Sequence, residues 1–332
     1  GVPPMRIEPR RRGSAASSSF WVGVASGRSP RTRKRSLAEL AILTGGAVAI
    51  RKGKIEEVGP TAELRKKYAA KTTIDAKGAV VTPGLVDPHT HLVFMGSREA
   101  EFEMRAAGKT YMDIAAAGGG IHSTVEKVRA ATKDELVRTA KPRLRTMLEH
   151  GTTTVEAKSG YGLTLQDELK SLEAIRELGC VPTFMGAHEV PRGSTRADYV
   201  REVADVMIPR AKELARFCDV FCEHGVFSVE DTRRIFEAAR QAGMGLKLHA
   251  EEFRATGGAE LAAEMGATSA DHLMAITDRG IRALKRAGTV AVLLPATTCF
   301  LAAERYAPAR HMIEEGVAVA LGTDFNPGSS TS

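Results

Sequence analysis

Leu85-Val-Asp-Pro-His-Thr-His-Leu-Val-Phe94 is an apolar run with two imidazoles set into it two positions apart, at His89 and His91. Side chains at i and i+2 of a strand point to one face, so both rings can reach the same point in space. From that stretch onward, short β-rich runs alternate with longer segments of helical period. The runs lie at residues 85–94, 152–158, 182–188, 220–227, 245–249, 269–273, 290–294 and 317–324, with helical stretches such as 133–150, 165–178 and 229–242 between them. Such alternation is the pattern of βα units around a parallel sheet. Residues 81 to 324 make 244 positions, against roughly 250 for a typical eight-fold barrel. The fold class expected is therefore α/β, a (β/α)8 TIM-like barrel.

Upstream, Ala47-Val-Ala-Ile50 and Ile55-Glu-Glu-Val58 flank the turn Arg51-Lys-Gly-Lys54, and a short helical stretch follows at 62–70. These read as a small β unit over residues 37–80. Residues 1–36 read as a disordered basic tail: nine Lys/Arg stand there against one acid, Glu8. Its net +8 exceeds the +7 of the whole chain, so the body carries about −1 and gives no electrostatic reason to expect a polyanion partner. The tail reads as an upstream extension without a role, with an organelle transit segment as the alternative. Four scattered cysteines without a C-x-x-C pair fit a reducing cytosol, and no stretch is apolar for long enough to cross a bilayer. Only eight residues follow Asp324, whereas an average helix takes about 11–12. The barrel, residues 81–332, is thus expected to lack its last helix, with an uncovered strand edge as a liability.

The chemistry gathers at the ends of the apolar runs. His89 and His91 form an H-x-H pair; two polar residues on an exposed edge strand would be the plain reading, but the Val, Leu and Phe around them argue for burial, and buried imidazoles need partners. Leu246-Lys-Leu-His249 ends in a third imidazole, and Val317-Ala-Val-Ala-Leu-Gly-Thr-Asp324 ends in a carboxylate that is costly there unless exposed, paired or metal-bound. In a parallel barrel all four fall at carboxyl ends of strands, where active sites are built. Three imidazoles and one carboxylate suit a single divalent ion, Zn²⁺ or Fe²⁺, able to lower the pKa of a water toward neutrality. A rival soft cluster, Cys218, Cys222 and His224, is better read as buried thiols on a core strand. Hydrolysing a C–N bond also requires proton transfer, for which Glu252 and His272 are placed, together with Asp324. Asp271 remains open as a capping or turn residue, and His272 as a core histidine.

The stretches Thr82-Pro-Gly-Leu-Val-Asp-Pro-His-Thr-His91, Glu156-Ala-Lys-Ser-Gly-Tyr-Gly-Leu163, Gly186-Ala-His-Glu-Val-Pro191, Leu248-His-Ala-Glu-Glu-Phe253 and Gly322-Thr-Asp-Phe-Asn-Pro-Gly-Ser-Ser330 together resemble the imidazolonepropionases of the amidohydrolase superfamily, over about residues 38 to 330. The resemblance implies that His89, His91, His249 and Asp324 are metal ligands. It also implies that Arg98, Tyr111, Tyr161, His188, Glu252, Asn326, Gly328 and Ser329 contact the substrate. The reaction implied is hydrolysis of 4-imidazolone-5-propanoate to N-formimidoyl-L-glutamate, in histidine breakdown. An arginine such as Arg98 offers a two-pronged fork for the propanoate carboxylate.

Two other classes compete. A heteroaromatic-ring aminohydrolase would use the same H-x-H and His-Ala-x-Glu pattern, and a metal-free interaction protein would share only the scaffold; Arg98, the 326–329 loop and the intact ligand set favour the hydrolase of an acidic ring. Gly118-Gly-Gly120 carries no following Gly-Lys-Ser/Thr and does not point to a phosphate. The partners expected are a small-molecule substrate and a second copy in a homodimer, with no nucleic acid and no membrane.

Overall fold

The computed structural model describes residues 42–109, 113–114 and 118–330. The basic segment 1–36 and Tyr111 lie outside the described residues. The described chain forms two compact units, 42–84 and 85 onward. In the first, β1 (Gly46–Arg51) and β2 (Lys54–Pro60) pair antiparallel. Lys52 and Gly53 between them both take positive φ, 51° and 75°, the two-residue turn whose twist matches the strands it joins. Helix α1 (Thr61–Lys67) follows, and Glu57 accepts from Lys67 Nζ at 2.5 Å and Tyr68 Oη at 2.7 Å.

In the second unit eight parallel strands run in chain order: β3 (Leu85–Asp87), β4 (Thr152–Lys158), β5 (Val181–Ala187), β6 (Phe217–Cys222), β7 (Gly245–Ala250), β8 (Ser269–His272), β9 (Val290–Leu293) and β10 (Val319–Leu321). The ring closes just past the regular strands. Thr90 bridges Phe325, His91 N–H donates to Phe325 O at 2.8 Å, and Asp324 N–H donates to His89 O at 3.0 Å. Asp87 adds a side-chain stitch, accepting from Thr323 N–H (3.1 Å) and Thr323 Oγ1 (2.5 Å). The result is the expected (β/α)8 architecture.

Three runs differ from expectation in extent. Regular pairing of the first stops at Asp87, because Pro88 brings no N–H to the ladder. The fourth is displaced to Phe217–Cys222: Phe217 is in register with Gly245, and Glu223 leaves the sheet in a turn closed by Val226 N–H to Glu223 O at 3.0 Å. The apolar Val226 and Phe227 had extended the reading beyond the strand. The last narrows to Val319–Leu321. Among the described residues no helix follows β10. At the seam Leu85, Val86 and Leu321 are more than half exposed, at 56, 59 and 65%.

The helices present their apolar stripe to the sheet. α2 (Glu99–Ala106) and α3 (Ile121–Ala130) precede α4 (Lys133–Glu149), which opens with a reciprocal cap between Thr132 and Glu135 and buries Leu136, Val137 and Ala140. α5 (Leu165–Glu177), α6 (Arg196–Glu202) and α7 (Val229–Gln241) start on Thr164, Thr195 and Ser228, each accepting an N–H of the first turn. Side chains such as Leu172, Ile175, Ile235 and Phe236 are wholly buried, each contributing roughly 1.5–3 kcal/mol by leaving water. Cys218 and Cys222 are buried too. Cys222 lies beside Gly258 on the helix side, so the Cys218–Cys222–His224 reading of a soft metal site is set aside: among the described residues no such ligating group exists. No described helix is long and apolar enough to cross a membrane.

Candidate active site

At the carboxyl ends of the strands the four sequence-expected ligands converge. Ligand atoms of His89, His91 and His249 all lie within 4.8 Å of one another, as do those of His89, His272 and Asp324. Asp324 Oδ1 is 3.4 Å from both His89 Nε2 and His91 Nε2, and His249 Nε2 is 3.3 Å from His91 Nε2. His89 Nε2 is buried and makes no hydrogen bond. A fully buried imidazole nitrogen without a partner, facing a carboxylate and two more imidazoles, is what a divalent cation site requires, and the donor set fits one.

Two carboxylates orient the rings from behind. His89 Nδ1 is 2.6 Å from Asp271 Oδ2, and His249 Nδ1 is 2.9 Å from Asp219 Oδ1. Each carboxylate accepts a hydrogen bond from Nδ1–H, which leaves Nε2 as a lone pair aimed into the site. Asp271 is therefore neither a cap nor a turn residue: it lies within the buried strand β8 and serves His89. Lys158, wholly buried, forms an ion pair with Asp219 Oδ2 at 2.8 Å and donates to Glu156 Oε1 at 2.9 Å. Burial opposes its charge, but the Asp219 and Glu156 carboxylates outweigh burial and raise its pKa. Sequence reasoning missed Asp219, Lys158 and the role of Asp271. A lone acid inside Phe217-Cys-Asp-Val-Phe-Cys222 was the available signal, since a charge within an apolar strand must be paired.

The backbone is strained where it turns into the site. Glu251, His272 and Asp324 take φ of 56°, 75° and 51°, a region that costs non-glycine residues about 1–3 kcal/mol each and that clusters at functional sites. Burial pushes Asp324 up to about 6, against the pull of His249, Thr297 and Asn326. Burial first, then the Asp324 and Glu223 carboxylates, raises Glu252 well above the usual range. Its Oε1 lies 3.7 Å from His272 Nδ1. His272 is itself driven well below its ordinary value, chiefly by burial.

A cavity of about 430 Å³ opens over this cluster. His91, Tyr161, His188, His249, Glu252, His272 and Asp324 line it, and so do Arg98, Arg105, Arg192, Asn326, Gly328 and Ser329. His188 stacks on His91 (centroids 4.9 Å, 21°) and donates from Nδ1 to Gly160 O at 2.9 Å, so its Nε2 is the acceptor. Residue 160 must lack a side chain, because at φ +100° a Cβ would meet His188 Nδ1 at 3.0 Å. Tyr161 sits against His188 (5.2 Å) on a loop tied down by Glu168, which accepts from Gly160, Gly162 and Leu163 N–H. Asn326 is spent on its own loop: Oδ1 accepts from Gly328 and Ser329 N–H, and Nδ2 donates to Asp324 O and Ser329 Oγ. Arg98 is not the open fork the sequence suggested. Its Nε and Nη2 each donate at 2.8 Å to Glu101.

Comparisons with known proteins agree with this geometry. The amidohydrolase family pattern matches residues 80–331, and an imidazolonepropionase-like composite domain of bacteria matches residues 46–70. An imidazolonepropionase of Brevibacillus brevis is 50% identical over 321 residues, 92% of this chain and 76% of the relative. That of Symbiobacterium thermophilum is 52% identical over 314 residues, 90% of this chain and 74% of the relative. Among solved structures, E. coli guanine deaminase superposes with a TM-score of 0.61 at 16% identity over 95% of this chain and 75% of its own. The 5-methylcytosine deaminase of Klebsiella pneumoniae gives 0.62 at 15% over 84 and 72%; at such identities the likeness is one of fold.

Proposed function

The chain belongs to the imidazolonepropionase family of amidohydrolases, and on that premise we propose that it hydrolyses the cyclic amide of 4-imidazolone-5-propanoate to N-formimidoyl-L-glutamate, using one divalent ion, zinc or iron. The observation that carries the reading is the buried convergence of His89, His91, His249 and Asp324 below a cavity that also presents arginine. Those four residues would hold the ion, which when bound supplies Lewis acidity and a more acidic water.

The protein's own groups do the rest. Water adds at the ring carbonyl carbon, the C–N bond breaks, and the departing nitrogen takes a proton. Asp324, at the centre of the cluster beside His89 and His91, accepts the proton that water loses. Glu252, whose raised pKa keeps it protonated, donates to the nitrogen, and His272 at 3.7 Å relays between them. Neutral His188 and Tyr161 hold the ring, and Ser329 and the Gly328 backbone bound its far side. The Arg98 guanidinium receives the propanoate carboxylate beyond the edge that Glu101 occupies. We place the enzyme in a reducing cytosol, acting on a small molecule as a homodimer, with no nucleic-acid partner.

The test is the disappearance of imidazolonepropanoate absorbance with the purified chain, alongside a metal count. No turnover by metal-replete protein sinks the proposal; ammonia released from guanine or cytosine instead would favour an aminohydrolase.

A further inference from the structure

Glu101 was not singled out by its sequence position, and it does not line the cavity, yet its side-chain partners among the described residues do. Its Oε1 accepts from Arg98 Nε and from Gly120 N–H, both at 2.8 Å, and its Oε2 accepts from Arg98 Nη2 at 2.8 Å and faces Arg105 Nη1 at 3.8 Å. Arg98, Arg105 and Gly120 all line the cavity. The three charged side chains are between 7 and 13% exposed. Arg105 in turn donates from Nη2 to Gly328 O at 2.6 Å, while its Nε is buried without a hydrogen bond. The other face of the Arg98 guanidinium packs on Gly328, where a Cβ would fall 2.6 Å from Arg98 Cζ. The guanidinium plane is therefore fixed on one edge by a bidentate carboxylate and on one face by a residue with no side chain.

We propose that Glu101 is a positioning residue for substrate recognition: it pins the Arg98 guanidinium, and steadies Arg105 beside it, in the orientation that receives the substrate's carboxylate. The inference rests on the reading of Arg98 given above. Besides the Gly120 N–H at the N-cap of α3, the side-chain partners of Glu101 among the described residues are the two cavity-lining arginines, and an acid that served only to join α2 to α3 would not need a bidentate hold on Arg98. A long arginine held in place before the ligand arrives loses less freedom on binding, so the effect belongs to affinity for the carboxylate and not to the bond-breaking step.

The test is a double-mutant cycle on the full chain with Glu101→Ala, Arg98→Ala and the double variant. It is read by calorimetry with imidazole-4-propanoate and with 4-methylimidazole, which lacks the carboxylate, and by KM and kcat for turnover. Glu101→Ala should weaken imidazole-4-propanoate about tenfold, raise KM without lowering kcat, leave 4-methylimidazole unchanged, and add nothing in the Arg98→Ala background. Glu101→Gln, which keeps an acceptor for Gly120 N–H and is the safer variant for folding, should show the same pattern at smaller size. Equal weakening of both probes, or the same loss with Arg98 already removed, overturns the role of Glu101 while leaving Arg98 in place. An Arg98→Ala variant that binds imidazole-4-propanoate normally overturns the reading of Arg98, and this inference with it.

Discussion

His89 Nδ1 and Asp271 Oδ2 stand 2.6 Å apart, both wholly buried. That one contact decides which nitrogen of His89 faces the other ligands. Replacing Asp271 with Asn keeps the shape but removes the charge that makes the ring a strong donor. Metal affinity, measured by competition with a chelator, should fall about 10–100-fold; an unchanged affinity would show that Asp271 does not tune the site.

Burial first, then the Asp324 and Glu223 carboxylates, raises the pKa of Glu252 and favours its protonated form. Glu252→Gln preserves size and hydrogen bonding but carries no acidic proton. We expect kcat to drop by about 10²–10⁴ with KM changed little, and a variant retaining wild-type kcat would remove Glu252 from the proton path.

Glu168 satisfies three backbone N–H groups around Tyr161, at 2.8–2.9 Å. Glu168→Ala leaves those donors buried and unpaired at about 1–3 kcal/mol each. Urea unfolding should register a loss of more than about 3 kcal/mol, and a loss within the scatter of a surface substitution would contradict the assignment.

Asp87 joins β3 to the end of β10 through Thr323. Its removal should open the barrel there before anywhere else. In Asp87→Ala, amide hydrogen exchange at His91 and Asp324, whose N–H groups close the seam, should accelerate more than exchange in β6 or β7; uniform acceleration would mean that the seam is not a separate weak point.

His188 is driven down to about 3, first by burial, against about 6.5 in an unfolded chain. A base with a depressed folded pKa contributes stability that is present above about 6.5 and is lost as pH falls toward 3. Metal-free protein should therefore lose stability as pH falls below about 6.5, by about 1.4 kcal/mol per pH unit and per such histidine. His188→Gln should show a shallower slope in urea titrations, and an equal slope would argue that His188 titrates normally.

Periodicity alone located the barrel, because alternation of strand and helix is written in local hydrophobicity, and strands 152–158 and 245–250 were legible to within a residue. It also picked out the candidate ligands, since an imidazole or carboxylate closing an apolar run is visible one run at a time. The partners were not legible in this way. Asp271 is 182 positions from His89, and His249 is 158 from His91. Which acid serves which ring is decided by the register of the closed sheet, where Asp271 lies level with His249 yet reaches across to His89. The same holds for Arg98: its charge could be read from the chain, whereas its engagement by Glu101 depends on the turn of α2 and on the approach of Gly120 and Gly328. Residue types and their spacing determined what chemistry this protein can carry. Tertiary structure alone decided how each charge is neutralised and aimed, because burial leaves a charged group only those partners that the packing brings within reach.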